Sequence, residues 1–175
     1  IYSYMSMNVF GPGKLDISSY LYSNAIINAK GDIIFKDADV YIVKNDTMLA
    51  SRTCHGIYSS AGNVIFDNSK VMLFSYMPSK SAGGLDSYRG LGYGIYAKKD
   101  VVIKNGSDVN VTASLSGNQA SNPFGIYATE DLIISESSMI SSHGGVYYGK
   151  AVGVGGELIL GFTLWNELSP NRQRS

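Results

Sequence analysis

The chain has 175 residues, with fourteen Lys and Arg against fourteen Asp and Glu and a formal net charge of zero. That length suits one domain with a sizeable core, and the charge balance supplies no long-range field toward nucleic acid or an anionic membrane. Charged residues make up only 16% while Gly (20) and Tyr (13) are abundant, as expected of a turn-rich all-β protein, and the single Cys54 excludes an intrachain disulfide or a multi-thiolate zinc site.

The chain begins at Ile1 without Met and carries no signal or transmembrane run, as expected of a processed or excised piece. Residues Ile1 to Phe10 alternate irregularly and are expected to add a first strand or cap. Gly11-Pro12-Gly13 reads as a turn, because Pro12 has no N–H to give to a central strand. Leu15-Asp16-Ile17 then alternates apolar and polar, as a half-buried strand does. Aligning Leu15 with Ile33 makes this first coil short.

A repeat dominates the rest of the chain. Gly125 to Ile134 reads Gly-Ile-Tyr-Ala-Thr-Glu-Asp-Leu-Ile-Ile, with near-copies at Gly94 to Ile103 and Gly56 to Phe66 and weaker ones from Ala25 and Ala151. A self-similar unit of this size marks a solenoid. Ile26, Ile57, Ile95, Ile126 and Val152 are aligned at one inward position. Ile33 with Phe35, Val64 with Phe66, Val101 with Ile103, Leu132 with Ile134, and Leu158 with Leu160 are i, i+2 pairs that line one interior. A third short strand is expected at Val40 to Ile42, Val71 to Leu73, Val109 to Val111 and roughly Met139 to Ser141. Asp37, Asn68, Asn105-Gly106 and Glu136 stand before it, where a sharp corner needs residues that tolerate the left-handed conformation. Insertions from about Ser75 to Tyr93, Thr112 to Phe124 and Ser142 to Lys150 account for the unequal repeat lengths, so loops should leave the coil at one corner.

These features predict a single-stranded, right-handed parallel β-helix (a β-solenoid) of about five to six coils over residues 1–160. Residues 161–175 form a C-terminal cap or tail, with Trp165, Leu164 and Leu168 covering the open end and Asn171 to Ser175 disordered.

Gly-Pro-Gly-Lys-Leu-Asp-Ile followed by Gly-Ile-x-x-x-x-Asp-Leu-x-Ile units resembles a bacterial family of right-handed β-helix carbohydrate-binding proteins related to polysaccharide lyases. The likeness covers about Gly11 to Leu160. It implies calcium, cellulose- or pectin-like polysaccharide as partner, and a place outside the cell or on the cell surface.

Three columns carry the candidate chemistry. Tyr58, Tyr96 and Tyr127 follow the inward Ile and should face outward at the strand spacing of roughly 4.8 Å. Such rings either offer an apolar, hydroxyl-edged surface to a sugar polymer or simply stack on one another. Asp32, Asn63, Asp100, Asp131 and Glu157 each precede a core strand. Stacked carboxylates repel, so Asp32, Asp100 and Asp131 either hold a calcium ion or cap backbone N–H groups, with Lys30, Lys98 and Lys99 near enough to neutralise them. Ile34, Ile65, Val102, Ile133 and Ile159 form an outward aliphatic row that insertions or a second copy should cover.

Catalytic signals are weak. Cys54 and His55 point opposite ways on a strand, and His143 lies in a Gly-rich stretch with no indicated partner. A lyase would need a basic residue such as Arg89 or Lys104. Gly90 to Gly94 lacks the spacing of a phosphate loop, and Asn45-Asp46-Thr47, Asn105-Gly106-Ser107 and Asn110-Val111-Thr112 match the glycosylation triplet. The leading expectation is non-catalytic polysaccharide binding. The alternatives are a structural or protein-binding segment of a larger surface adhesin, and a polysaccharide lyase.

Overall fold

A computed structural model describes residues 1–19, 25–45, 53–77, 91–115, 124–136, 138–143 and 150–160. These form seventeen short strands in three all-parallel sheets of six, six and five strands. The first wall stacks β1 (Tyr2–Ser3), β4 (Ala25–Ala29), β7 (Thr53–Ser59), β10 (Leu91–Ala97), β13 (Phe124–Ala128) and β16 (Lys150–Val154). The second stacks β2 (Met7–Phe10), β5 (Ile33–Lys36), β8 (Val64–Asp67), β11 (Val101–Lys104), β14 (Leu132–Ile134) and β17 (Leu158–Leu160). The third stacks β3 (Lys14–Ser19), β6 (Asp39–Asn45), β9 (Lys70–Met77), β12 (Asp108–Leu115) and β15 (Met139–His143). The chain visits the walls in that order and returns one rung higher, the arrangement of a parallel β-solenoid.

The strand sequences explain the walls. Val, Ile and Phe at alternate positions suit a pleated surface with one buried face. Ile33, Phe35, Val64, Phe66, Val101 and Ile103 are fully buried and stack in two columns, with Phe35 and Phe66 face to face at 5.2 Å. Each such side chain contributes about 1.5–3 kcal/mol relative to exposure. Val40, Ile42, Val71, Leu73, Val109 and Val111 close the interior from the third wall.

Two details of the expected alignment change. Leu15 pairs with Val40 in the third wall, whereas Met7 pairs with Ile33. The first coil is therefore not short: Tyr2 lies beside Asn28, and residues 1–19 supply a strand to all three walls. Likewise Ile27, rather than Ile26, stands in register with Ile57. A one-residue slip exchanges the two faces of a strand, and here it sets Asn28 in the outward column in front of Tyr58.

The corner between the second and third walls follows the expected chemistry. Asp37, Asn68, Asn105 and Glu136 have positive φ of 52°, 46°, 55° and 57°. Asn68 Nδ2 donates to Asp37 Oδ1 at 2.6 Å, and Asn105 Nδ2 donates to Asp67 Oδ1 at 2.6 Å. Just past the corner a serine column continues the ladder: Ser69 Oγ accepts from Ala38 N, Ser107 Oγ from Ser69 N, and Ser138 Oγ from Ser107 N. Each buried N–H that the turn takes out of the sheet thus finds a side-chain oxygen one rung away.

The joins from first to second wall and from second to third are two to four residues long. Those from third to first wall run through residues 20–24, 46–52, 78–90, 116–123 and 144–149 and vary from five to thirteen, so the insertions leave at one corner as expected. Leu91 to Gly94 belong to β10, which removes the phosphate-loop reading. Trp165 and the rest of 161–175 lie outside the described residues, as does Arg89.

Asn68 tests the corner. Replacing Asn68 by Ala should destabilise the fold by about 1–2 kcal/mol, since Ala is strained at positive φ and loses the Asp37 bond, whereas Gly should recover most of the conformational part. Urea unfolding of the two variants reads the difference; equal stability of Ala and Gly variants would show that the corner conformation carries no penalty.

Candidate functional site

The outer face of the first wall carries the most distinctive cluster. In each Gly-Ile-Tyr copy the isoleucine is fully buried, as Ile57, Ile95 and Ile126 are, and the next residue turns outward. Strand register aligns Tyr58 with Tyr96 and Tyr96 with Tyr127. Tyr58 and Tyr96 stack at 4.7 Å with 16° between planes, and Tyr96 and Tyr127 at 5.9 Å with 8°. The expected ladder is present.

A second file, which alternation alone does not reveal, stands beside it. His55, Tyr93 and Phe124 are aligned by the same register, each three residues before a ladder tyrosine. Positions three apart share a face here because both residues between them, Gly56 and Ile57 in the first case, are buried. On the Gly-Ile-Tyr rungs the inward step is tight: a Cβ on Gly94 would lie 2.3 Å from Val111 Cγ1 and 2.5 Å from the Gly125 carbonyl oxygen, whereas on the rung before them Ile26 fills the equivalent position and is buried. The available signal is the aromatic ring, His55, Tyr93 or Phe124, directly ahead of each Gly-Ile-Tyr glycine.

The two files interlock. His55 stacks on Tyr58 at 4.7 Å and on Tyr93 at 5.1 Å. Tyr93 lies 5.0 Å from Tyr96, 5.4 Å from Tyr127 and 5.7 Å from Phe124. On the following rung Gly153 stands in register with Tyr127, and a Cβ there would meet Phe124 Cε1 at 2.5 Å and Tyr127 Cδ2 at 2.6 Å. The two terminal rings therefore fold down over Gly153. Each aromatic pair of this kind adds about 0.5–1.5 kcal/mol beyond area burial.

Burial disfavours the charged forms of His55, Tyr58 and Tyr93. Burial, and secondarily the Lys44 charge, lower the His55 pKa to about 4, and its Nδ1 accepts from the Tyr93 backbone N–H at 3.3 Å. Burial raises the Tyr58 and Tyr93 hydroxyls, and neighbouring phenols raise them further. Thr129 Oγ1 lies 3.4 Å from the Tyr96 hydroxyl. Because the ring faces are spent largely on each other, the strip offers ring edges and a line of phenolic hydroxyls. Such a surface can donate and accept hydrogen bonds.

The acidic column has a different role. Asp32 Oδ1 accepts from Asn63 N and Nδ2 at 2.8 and 3.0 Å, and Asn63 Oδ1 accepts from Asp100 N at 3.1 Å. Asp100 Oδ1 accepts from Asp131 N at 3.0 Å, and Asp131 Oδ1 from Glu157 N at 2.8 Å. One oxygen of each carboxylate thus caps the next rung's backbone. No ion pair joins Lys30, Lys98 or Lys99 to this column, and no set of three His, Cys, Asp or Glu that could hold a metal occurs, among the described residues. Of the two lyase candidates, Lys104 is 3.6 Å from Asp67 and Arg89 lies outside the described residues.

No protein-family model, curated protein or solved structure matches the chain.

His55 carries a pH prediction. Its folded pKa lies below the ordinary value of 6.5, so its contribution to stability is complete above pH 6.5 and is lost as pH falls to about 4. The loss should reach about 3 kcal/mol. His55→Phe, which copies the ring at Phe124, should remove this slope; urea unfolding between pH 4 and 7 measures it, and an unchanged slope assigns the acid sensitivity elsewhere.

Proposed function

We propose that the chain is a non-catalytic module that binds an extended polysaccharide outside the cell or at a bacterial cell surface. The observation that carries this reading is the aromatic strip: six rings in two interlocked files over three rungs of the first wall, of which Tyr58, Tyr93, Tyr96, Phe124 and Tyr127 are half-buried and His55 is buried. A linear polymer laid along the stack meets the same phenolic edge on every rung. Hydroxyls of a sugar chain match the hydroxyls of Tyr58, Tyr96 and Tyr127 in both donor and acceptor capacity. Aromatic side chains give large contact area at small entropic loss, because few torsions are fixed. The resemblance of the repeats to a carbohydrate-binding solenoid family points the same way.

In this reading the three walls wind right-handed through five to six coils, since parallel strands joined by crossovers within one sheet are right-handed in about 98% of cases. The calcium that the resemblance implies, expected at Asp32, Asp100 and Asp131, would have only Asp100 and Asp131 as neighbours on successive rungs, since Asn63 stands between Asp32 and Asp100.

A second reading, a protein-binding segment of a larger surface adhesin, draws on the last described rung. Leu158 and Leu160 pair with Leu132 and Ile134 at interior positions, yet they are 54% and 44% exposed. A stacked partner would cover them. A lyase reading is the weakest: of its two candidate bases, Lys104 lies 3.6 Å from Asp67 and Arg89 is outside the described residues.

A pull-down on insoluble cellulose and pectin, with calcium or chelator, tests the first reading. The wild type should bind, and the Tyr96→Ala/Tyr127→Ala variant should lose at least about tenfold in affinity while keeping its β circular dichroism. Full affinity in a folded double variant would overturn it.

A further inference from the structure

The outer face of the second wall has the layout of an interface. Each of its strands presents a corner residue, a central residue two positions on, and an end residue two positions further. The central row is Ile34, Ile65, Val102 and Ile133, aligned by register and half-buried. Every described strand belongs to one of the three walls, so no described strand lies over this row. The two edges differ in charge. The corner edge reads Asp32, Asn63, Asp100 on successive rungs, and the end edge reads Lys36, Asp67, Lys104.

The edges complement each other on the Ile34, Ile65 and Val102 rungs. On the first and third of these the corner residue is Asp and the end residue Lys; on the Ile133 rung the corner is Asp131 and the end is the neutral Ser135, so the match is confined to three rungs. On the middle rung the end residue is Asp67, and there the corner carries neutral Asn63. Asp67 remains ionised, because the Asn105 amide bonds its carboxyl and the Lys104 and Lys36 charges favour the anion against some burial. A half-turn about an axis parallel to the solenoid keeps every rung at its height and exchanges the two edges. It therefore sets Asp32 against Lys36, Asn63 against Asp67 and Asp100 against Lys104 of a second copy. Each central residue then meets its own counterpart. The other simple half-turn, about an axis along the strands, sets each edge against itself and gathers the corner carboxylates together.

We propose that this face binds a second copy of the same chain, the two solenoids lying side by side with parallel axes and the Ile34–Ile133 rows in contact. Sheets packed face to face stand about 10 Å apart, a gap that Lys and Asp side chains span from opposite edges. Five to six rungs about 4.8 Å apart and about 13 Å wide offer roughly 300–400 Å² per copy, well below the usual 800 Å², so the dimer is a weak one. Its edge pairs make it salt-sensitive, because they lie at the rim.

Sedimentation velocity from about 5 to about 500 µM, a range chosen for an interface of this size, reads the association. A reversible dimer that weakens with salt is expected. Ile65→Glu places a carboxylate against its own copy at the centre and should weaken association at least about 100-fold. Thiol cross-linking fixes the orientation. In a Cys54→Ser background, Ile34→Cys and Ile133→Cys should each cross-link to themselves, and a mixture of the two should give no 34–133 product. A monomer throughout the range, a dimer unaffected by Ile65→Glu, or a 34–133 cross-link would each overturn the proposal. Circular dichroism confirms that each variant folds.

Discussion

Parallel, in-register stacking governs nearly everything else in this molecule. Once Val101 pairs with Val64 and Leu132 with Val101, every side chain has a homologue one strand spacing above and below it. The arrangement is favourable for Ile, Val and Phe, whose columns line the buried interior. It is unfavourable for charge, since like groups are brought as close as the backbones. The corner column answers this by passing each carboxylate oxygen to a backbone N–H of the next rung, so Asp100 and Asp131 are joined through a hydrogen bond. Asn63, set between Asp32 and Asp100, both donates and accepts and so links two rungs that carboxylates alone would not.

The interior was legible because strand periodicity is strict there. The i, i+2 pairs of the second wall and the left-handed corner at Asp37, Asn68, Asn105 and Glu136 follow from side-chain alternation and backbone sterics, which are local properties. The first two coils were misaligned for an equally physical reason. Their strands lack the Gly-Ile-Tyr signature, and in the second coil Ala25-Ile26-Ile27 offers two adjacent isoleucines that satisfy the inward position equally well by composition. Only the neighbouring rung decides between them, and both end up buried. Leu15 was likewise ambiguous, since an apolar-polar-apolar triplet fits any wall.

The second aromatic file was hidden by the same alternation that revealed the first. A strict period of two puts His55 and Tyr58 on opposite faces. The inward double step at Gly56 and Ile57 breaks that period and brings the rings together. At Gly56 and Gly94 an added Cβ would meet the third wall and the next backbone, while Ile26 makes the same inward step one rung earlier, so the double step belongs to the wall and the glycines fit it locally.

That geometry also separates what the repeat needs from what it does not. Columns of identical residues follow from stacking, and carry little functional information by themselves. The informative positions are those where one rung departs from its neighbours. His55 replaces a phenol or phenyl ring with a group that stays neutral until strongly acidic pH and accepts a backbone hydrogen bond that neither of the other rings can accept in the same way. Gly153 ends the ladder by letting two rings settle onto the rung above. On the second wall, Asn63 and Asp67 depart from the Asp and Lys of the adjacent rungs together, on the same strand and at opposite edges. Each also has a partner on a neighbouring rung: Asn63 bridges Asp32 and Asp100, and Asp67 accepts from Asn105 and lies 3.6 Å from Lys104.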